Sequence, residues 1–304
     1  MKILITGSTG QLGKTLTEDF NNIPTKKQIK IYTPSRKEFN LSSKSHEIVS
    51  FIDKLNPDWV INCAAYTEVD KAEEEPELAY KINSFGPKSI SEALQRNNGK
   101  MIHISTDYVF SGGKGTPYKP YDKLDPISIY GKTKAEGEDC VISNLKERSH
   151  IIRASWLYSS YRKNFLLTML KLHQIKGRNK ETLNIVYDQI SCPTSTNSLS
   201  KFIWKIISSD NSLTPQIMHW SDTGVCSWYD FAFEIGNLAF EKGIIKNKAS
   251  LCPIKSSQYP TKAKRPNFSL LDCSESWKLF DEQIFHWKIA LTKVLENSKR
   301  LNID

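Results

Sequence analysis

The sequence predicts an α/β protein: a Rossmann-type doubly wound parallel sheet followed by a smaller C-terminal α/β substrate lobe. Three observations carry that expectation. Short β-rich runs alternate with stretches of helical spacing through the first half, a pattern that places helices on both faces of a parallel sheet. A glycine-rich turn, Gly7-Ser8-Thr9-Gly10-Gln11-Leu12-Gly13, joins the first strand to the first helix. Beyond about residue 156 the alternation loosens, and Pro193, Pro215, Pro253, Pro260 and Pro266 separate shorter elements. The expected division is residues 1–156 for the sheet domain and 157–304 mainly for the lobe, with some segments returning to the first domain.

Taken in order, Lys2 to Thr6 (KILIT) is a short β-rich run, Gln11 to Phe20 has helical character, and Ile29 to Tyr32 is a second strand. His46 to Leu55 shows helical spacing and stops at Asn56-Pro57, and Trp59 to Asn62 (WVIN) is a third strand. Pro76 can open a helix, whereas Pro87 is expected to interrupt or kink the helical stretch from Glu77 to Gln95. Met101 to Ser105 follows as strand four, Ile129 to Val141 as a helix and Ile151 to Ser155 as strand five. In the lobe, Phe165 to Leu172, Ser198 to Ile207 and Trp228 to Phe240 carry apolar residues at three- and four-residue spacing.

The 304 residues include 42 Lys plus Arg against 33 Asp plus Glu, a formal net charge of +9. The basic residues are dispersed among acids, so an acidic small substrate suits the surface at least as well as a polynucleotide does, and no nucleic-acid partner is expected. The densest basic groups are Arg162 to Lys180 and Lys262 to Arg265. No run approaches the roughly 18 apolar residues of a membrane-spanning helix, and the N-terminus lacks a signal-peptide core. A cytoplasmic protein with no membrane partner is therefore expected. Six cysteines without a C-x-x-C pair, and six histidines without ligand spacing, disfavour a disulfide scaffold and a zinc site.

The chemistry begins at the glycine loop. Glycines at positions 7, 10 and 13 let the backbone turn tightly and approach a pyrophosphate, whose charge faces the N–H groups of the following helix. After the second strand, a carboxylate would receive the ribose hydroxyls of NAD and a basic residue would suit the extra phosphate of NADP. The segment here is Thr33-Pro34-Ser35-Arg36-Lys37, which favours NADPH, with NADH the alternative; solvated loop cations are the plain structural reading. Tyr130 and Lys134 stand four residues apart, hence on one helix face. A lysine ammonium near a tyrosine lowers a hydroxyl pKa that is otherwise about 10 and fits it for proton transfer. Thr106 leaves the fourth strand at the carboxyl edge of the sheet, where its hydroxyl can reach a carbonyl oxygen or merely cap a turn.

The glycine loop, Thr106, Tyr130 and Lys134 together resemble an extended short-chain dehydrogenase/reductase. More narrowly, Asn62 to Glu73 (NCAAYTEVDKAE) and Ser105 to Phe110 (STDYVF) resemble the dTDP-4-dehydrorhamnose reductase family. The likeness continues through Arg153-Ala154-Ser155-Trp156-Leu157-Tyr158, Asn164-Phe165, Asp188-Gln189, Pro193-Thr194 and Arg265-Pro266-Asn267-Phe268-Ser269, nearly the whole chain. The resemblance implies Tyr130 as proton donor, Lys134 as the residue that holds the nicotinamide ribose and tunes the tyrosine, and Thr106 as the residue that orients the sugar carbonyl. It implies cofactor contacts from Gly7, Gly10, Gln11, Leu12, Gly13, Ser35, Arg36, Ala64, Ala65 and Tyr66, and substrate contacts from Thr106, Asp107 and Trp156. Where relatives often carry an acid after the second strand, this chain has Asn40-Leu41, so adenine contacts there are open. Some relatives bind a divalent cation such as Mg²⁺; no essential metal is expected here.

The implied reaction is NADPH-dependent reduction of the C4 ketone of dTDP-4-dehydro-L-rhamnose to dTDP-L-rhamnose, for cell-surface polysaccharide. Two alternatives stand beside it. One is another nucleotide-sugar epimerase, dehydratase or reductase, although dehydratases of this fold usually carry an acidic pair after the threonine and Thr106 is followed by Asp107-Tyr108. The other is a non-catalytic NADP-binding regulatory subunit, against which the retained Tyr130, Lys134 and Thr106 speak. A homodimer is expected on base rates.

Overall fold

The computed structural model describes residues 1–23, 28–209, 214–280 and 283–298; the end of the 157–304 stretch, from 299 on, lies outside the described residues. Six parallel strands form the central sheet. In sequence they are β1 (Lys2–Thr6), β2 (Lys30–Tyr32), β3 (Trp59–Asn62), β4 (Lys100–Thr106), β5 (Ser149–Ala154) and a last strand, Ile217–Trp220. In space the last strand lies beside β5, followed by β4, β3, β1 and β2. The chain leaves β1 toward β2 on one side and returns at β3 on the other. The order therefore reverses between β1 and β3, and ligands of such sheets sit at the carboxyl ends of the strands around that point.

Both faces of the sheet are covered, which is why its strands read as unbroken apolar runs. Along β1, Ile3 and Ile5 join a layer with Leu16, Phe202, Ile203 and Trp220, whereas Leu4 points to the opposite layer with Ile52, Ile90, Leu94 and Val141. The expectation at Pro87 changes in detail. Helix Pro76–Tyr80 passes into a π-helical segment, Lys81–Phe85, and then into helix Gly86–Asn97, so Pro87 stands in the first turn of the later helix. The helix is already running there, so Pro87 withholds the N–H that would bond a carbonyl of the preceding turn, and the π-helical segment occupies that turn.

The C-terminal part holds a parallel pair, Thr182–Val186 with Ser250–Ile254, and helices Phe165–Arg178 and Trp228–Glu241. Leu166, Leu170, Phe231, Ile235 and Leu291 form its own core. Residues 196–209 and 214–220 leave it. Helix Thr196–Ser209 lies on helix Gln11–Asp19, where Trp204 Nε1 donates to Leu16 O at 3.2 Å and Thr15 Oγ1 donates to Thr196 Oγ1 at 2.8 Å. The strand Ile217–Trp220 then extends the central sheet beyond β5.

Candidate active site

The glycine loop follows β1 directly. Gly7 has φ +64°, in the region that favours glycine, and a Cβ on it would lie 2.8 Å from Ala64 N. The loop therefore packs against the exit of β3. No side chain caps helix Gln11–Asp19, whose first turn begins beyond Gly10. Those N–H groups, at the positive end of the helix, suit an anionic pyrophosphate, and the tight loop gives it backbone to approach. Arg162 Nε donates to Thr9 O at 2.7 Å and Ser159 Oγ to Gln11 Oε1 at 2.9 Å, tying the loop to the segment after β5. The side chain of Leu12 turns away into the core.

At the exit of β2, Ser8 Oγ donates to Pro34 O at 3.2 Å, so the loop and the Ser35–Arg36 turn are adjacent. Ser35 N donates to Glu38 Oε2 at 2.8 Å, and Arg36 is exposed. Asn40 spends its amide oxygen on Ser42 N at 3.0 Å, and Leu41 is buried with Ile48 and Ile52. Ala64, Ala65 and Tyr66 run outward from β3. Ala64 N donates to Thr6 Oγ1 at 3.3 Å, and Tyr66 N donates to Asn83 Oδ1 at 2.8 Å while its hydroxyl donates to Glu75 at 2.7 Å.

Thr106 ends β4, beside Tyr130 in the first turn of helix Ile129–Leu145. Ser128 caps that helix by accepting from Gly131 N at 3.1 Å. Gly131 permits the seat: a Cβ there would stand 2.2 Å from Tyr108 O. Further along, Glu138 takes three hydrogen bonds from Arg153 of β5 at 2.6 to 3.1 Å, with both side chains buried. This pair locks the helix to the sheet. A charge inside the apolar run Ile151-Ile152-Arg153-Ala154 was the sequence signal for it, because a buried charge requires a partner.

Lys134 is 2% exposed and reaches inward. Its Nζ lies 3.1 Å from His103 Nε2 and donates to Ile104 O at 2.7 Å. Burial lowers its pKa to about 8, opposed by the charge of Glu138. Burial raises the Tyr130 hydroxyl to about 12, while the hydrogen bond to Thr106 opposes the shift. Within the chain's own groups, then, the tyrosine is shifted opposite to the expected lowering, because Lys134 spends its bonds on β4 and desolvation dominates at the phenol. Asp107 is also buried: Ser269 Oγ donates to Oδ2 at 2.5 Å and Thr106 Oγ1 to Oδ1 at 3.1 Å. Its carboxyl rises to about 6 through burial, partly offset by those bonds.

A cleft of about 1210 Å³ opens between the sheet domain and the C-terminal lobe, lined by Asp70, Phe165, Trp228, Lys262 and Arg265 among others; Thr106, Asp107, Tyr130, Lys134 and Trp156 are not in its lining. Arg265 donates to both carboxylate oxygens of Asp70, at 3.1 and 2.7 Å, and Lys262 pairs with Glu74, so a strap from the lobe is bound to the sheet domain across the cleft. Trp156 stacks on Trp228 with ring centroids 3.5 Å apart, and its backbone φ is +46°. The sequence reading missed Trp228, Asn83 and His103; the first resembled ordinary helix core, and the other two are single polar residues in elements that otherwise read as structural. Among the described residues, no group of three or more His, Cys, Asp and Glu side chains is placed to hold a metal ion.

Residues 1–300 match the family model of the RmlD substrate binding domain. The chain belongs to that family. The dTDP-4-dehydrorhamnose reductase of Aggregatibacter actinomycetemcomitans is 36% identical over 296 residues, covering 96% of this chain and 98% of that one. The crystal structure of a dTDP-4-dehydrorhamnose reductase from Clostridium acetobutylicum ATCC 824 superposes with a TM-score of 0.87 at 35% identity, covering 98% of this chain and 99% of that one. That of Bacillus anthracis str. Ames, solved in complex with NADP, has a TM-score of 0.86 at 33% identity over 97% and 99% of the two chains. The RmlD match takes in the sheet domain, the strap and the lobe alike. Among the described residues no helix is long and apolar enough to cross a membrane.

Proposed function

We infer that this chain catalyses the NADPH-dependent reduction of the C4 ketone of dTDP-4-dehydro-L-rhamnose to dTDP-L-rhamnose, in the synthesis of a sugar donor for cell-surface polysaccharide. The observation that carries the reading is the placement of Thr106 at the end of β4 and of Tyr130 and Lys134 in the first turns of the helix packed on it, on the same carboxyl edge of the sheet that carries the glycine loop after β1. Full-length likeness to reductases of that name, one of them solved with NADP, supports it. Bound NADPH supplies the hydride.

The chain's own residues do the rest. The uncapped N-terminus of helix Gln11–Asp19 and the Gly7–Gly13 turn hold the pyrophosphate, and Ser35 and Arg36 face the adenosine phosphate. Ala64, Ala65 and Tyr66, at the exit of β3, face the cofactor. As negative charge grows on the sugar oxygen, Thr106 turns its single hydroxyl hydrogen from Asp107 toward it and Tyr130 supplies the proton. A hydroxyl with pKa raised to about 12 remains protonated at neutral pH, which suits a donor to a nascent alkoxide. Asp107, fixed by Ser269, holds Thr106 in place, and Trp156 walls the sugar site. In this reading the enzyme works in the cytoplasm as a homodimer and needs no metal.

The test follows NADPH absorbance after addition of dTDP-4-dehydro-L-rhamnose, with NADH and Tyr130→Phe run alongside. Oxidation by the native chain, falling by about 10²–10⁴ in the variant while NADPH binding persists, is the expected result. No oxidation by folded protein that binds NADPH would overturn the assignment, and near-native turnover by the variant would remove Tyr130 as proton donor.

A further inference from the structure

Behind the candidate site a line of buried polar side chains runs through the sheet. Thr6 Oγ1 donates to Asn62 Oδ1 at 2.5 Å, Asn62 Nδ2 lies 2.9 Å from His103 Nδ1, and His103 Nε2 lies 3.1 Å from Lys134 Nζ. Thr6, Asn62 and His103 are at most 1% exposed and occupy facing positions on β1, β3 and β4. Three polar residues buried side by side on neighbouring strands are costly unless every group is paired. The line ends on the side-chain nitrogen of Lys134, and at its other end Thr6 Oγ1 accepts from Ala64 N.

The imidazole decides what the line can do. Both ring nitrogens face nitrogen atoms, and a neutral ring has a single N–H. With the Asn62 amide nitrogen toward Nδ1, the ring proton belongs on Nε2 and donates to a lysine lone pair, which is the amine form. With the amide turned over, Nδ1–H donates to Asn62 Oδ1, Asn62 Nδ2 donates to Thr6, and Nε2 accepts from the ammonium. We propose that His103 is a positioning residue for Lys134: braced by Asn62 and Thr6, its ring changes tautomer as Lys134 changes between ammonium and amine, so the buried nitrogen keeps a hydrogen-bond partner in either state. Deprotonation releases one proton to solvent, and the imidazole exchanges Nδ1–H for Nε2–H while remaining neutral.

The surroundings fit. Burial and the lysine charge hold His103 well below the ordinary imidazole range, so the ring stays neutral. The titratable groups facing Lys134 are Glu138 on its own helix, itself bound by Arg153, and Cys63 at the end of β3. Tyr130 lies one turn away on the same helix.

The kinetic arm of the test rests on the reductase reading; the spectroscopic arm does not. Imidazole ¹⁵N NMR of the full chain is recorded from pH 6 to 10, with Lys134→Met as reference. The expected result is a neutral His103 whose ring nitrogens exchange character as Lys134 titrates, a change missing in Lys134→Met. In turnover, His103→Leu removes an acceptor from the ammonium and moves the alkaline limb of kcat down by about one to two pH units. His103→Gln, whose amide oxygen can accept, restores much of the shift. Asn62→Asp accepts Nδ1–H, leaves Nε2 as acceptor and moves the limb up. A single fixed tautomer across the titration, or an unmoved limb in folded His103→Leu, overturns the proposal. If the native chain turns over no dTDP-sugar, the function fails and the NMR still decides this inference.

Discussion

The two ends of the cofactor-facing sheet edge are built differently. At β4 and helix Ile129–Leu145, Thr106, Tyr130 and Lys134 are set by buried side-chain bonds: Ser269 to Asp107, His103 to Lys134, and Arg153 to Glu138. At β1 and β2, the glycine loop and the Ser35–Arg36 turn are set by backbone conformation and by Ser8 reaching Pro34 O, with Arg36 out in solvent. The difference teaches where each property resides. The groups proposed to move protons are fixed by the core, so changing their supports alters stability and rate together. The groups proposed to select the cofactor sit on the surface, where affinity can change while the fold does not.

Substitutions can break or sharpen this contrast. The largest effect on rate belongs to Tyr130→Phe, about 10²–10⁴ in kcat, with a melting temperature near that of the native chain because only a hydroxyl is lost. Next comes Glu138→Gln, which leaves Arg153 buried without its counter-charge. It is expected to cost about 3–5 kcal/mol in urea unfolding, and a loss below 1 kcal/mol would show that the helix is held by packing alone. At the other end, Gly7→Ala forces a Cβ to 2.8 Å from Ala64 N at φ +64° and should cost about 1–3 kcal/mol while weakening NADPH binding, read by fluorescence titration. The smallest effect is that of Arg36→Ala. It should weaken NADPH about three- to tenfold, leave NADH unchanged and leave unfolding unaltered. Equal losses for both cofactors would deny Arg36 its selective role.

Much of this was legible in the sequence. KILIT and WVIN coincide with β1 and β3, and the Tyr130–Lys134 spacing placed both on one helix, because hydrophobic period and helical pitch are local properties. The pairing of Lys134 with His103, the burial of Asp107 under Ser269 and the strap bound through Arg265 to Asp70 were not. The last two join residues 162 and 195 positions apart, and the spacing of a motif holds no information about which distant element will face it. Leu41 and Leu12 show the converse. Position in a motif put Leu12 at the pyrophosphate turn and left the adenine contacts at Leu41 open; the side chains of both are packed in the core, which leaves their backbone to face a ligand.

The sequence by itself determined the alternating α/β order, the glycine turn at the first strand and the set of residues able to move a proton, since each depends on neighbours within a few positions. Tertiary structure alone decided which way the lysine points, how far burial shifts each hydroxyl and carboxyl, and that residues 196–209 and 214–220 return to complete the central sheet. Those outcomes follow from desolvation and from contacts between distant segments, and both exist only once the layers have closed over the strands.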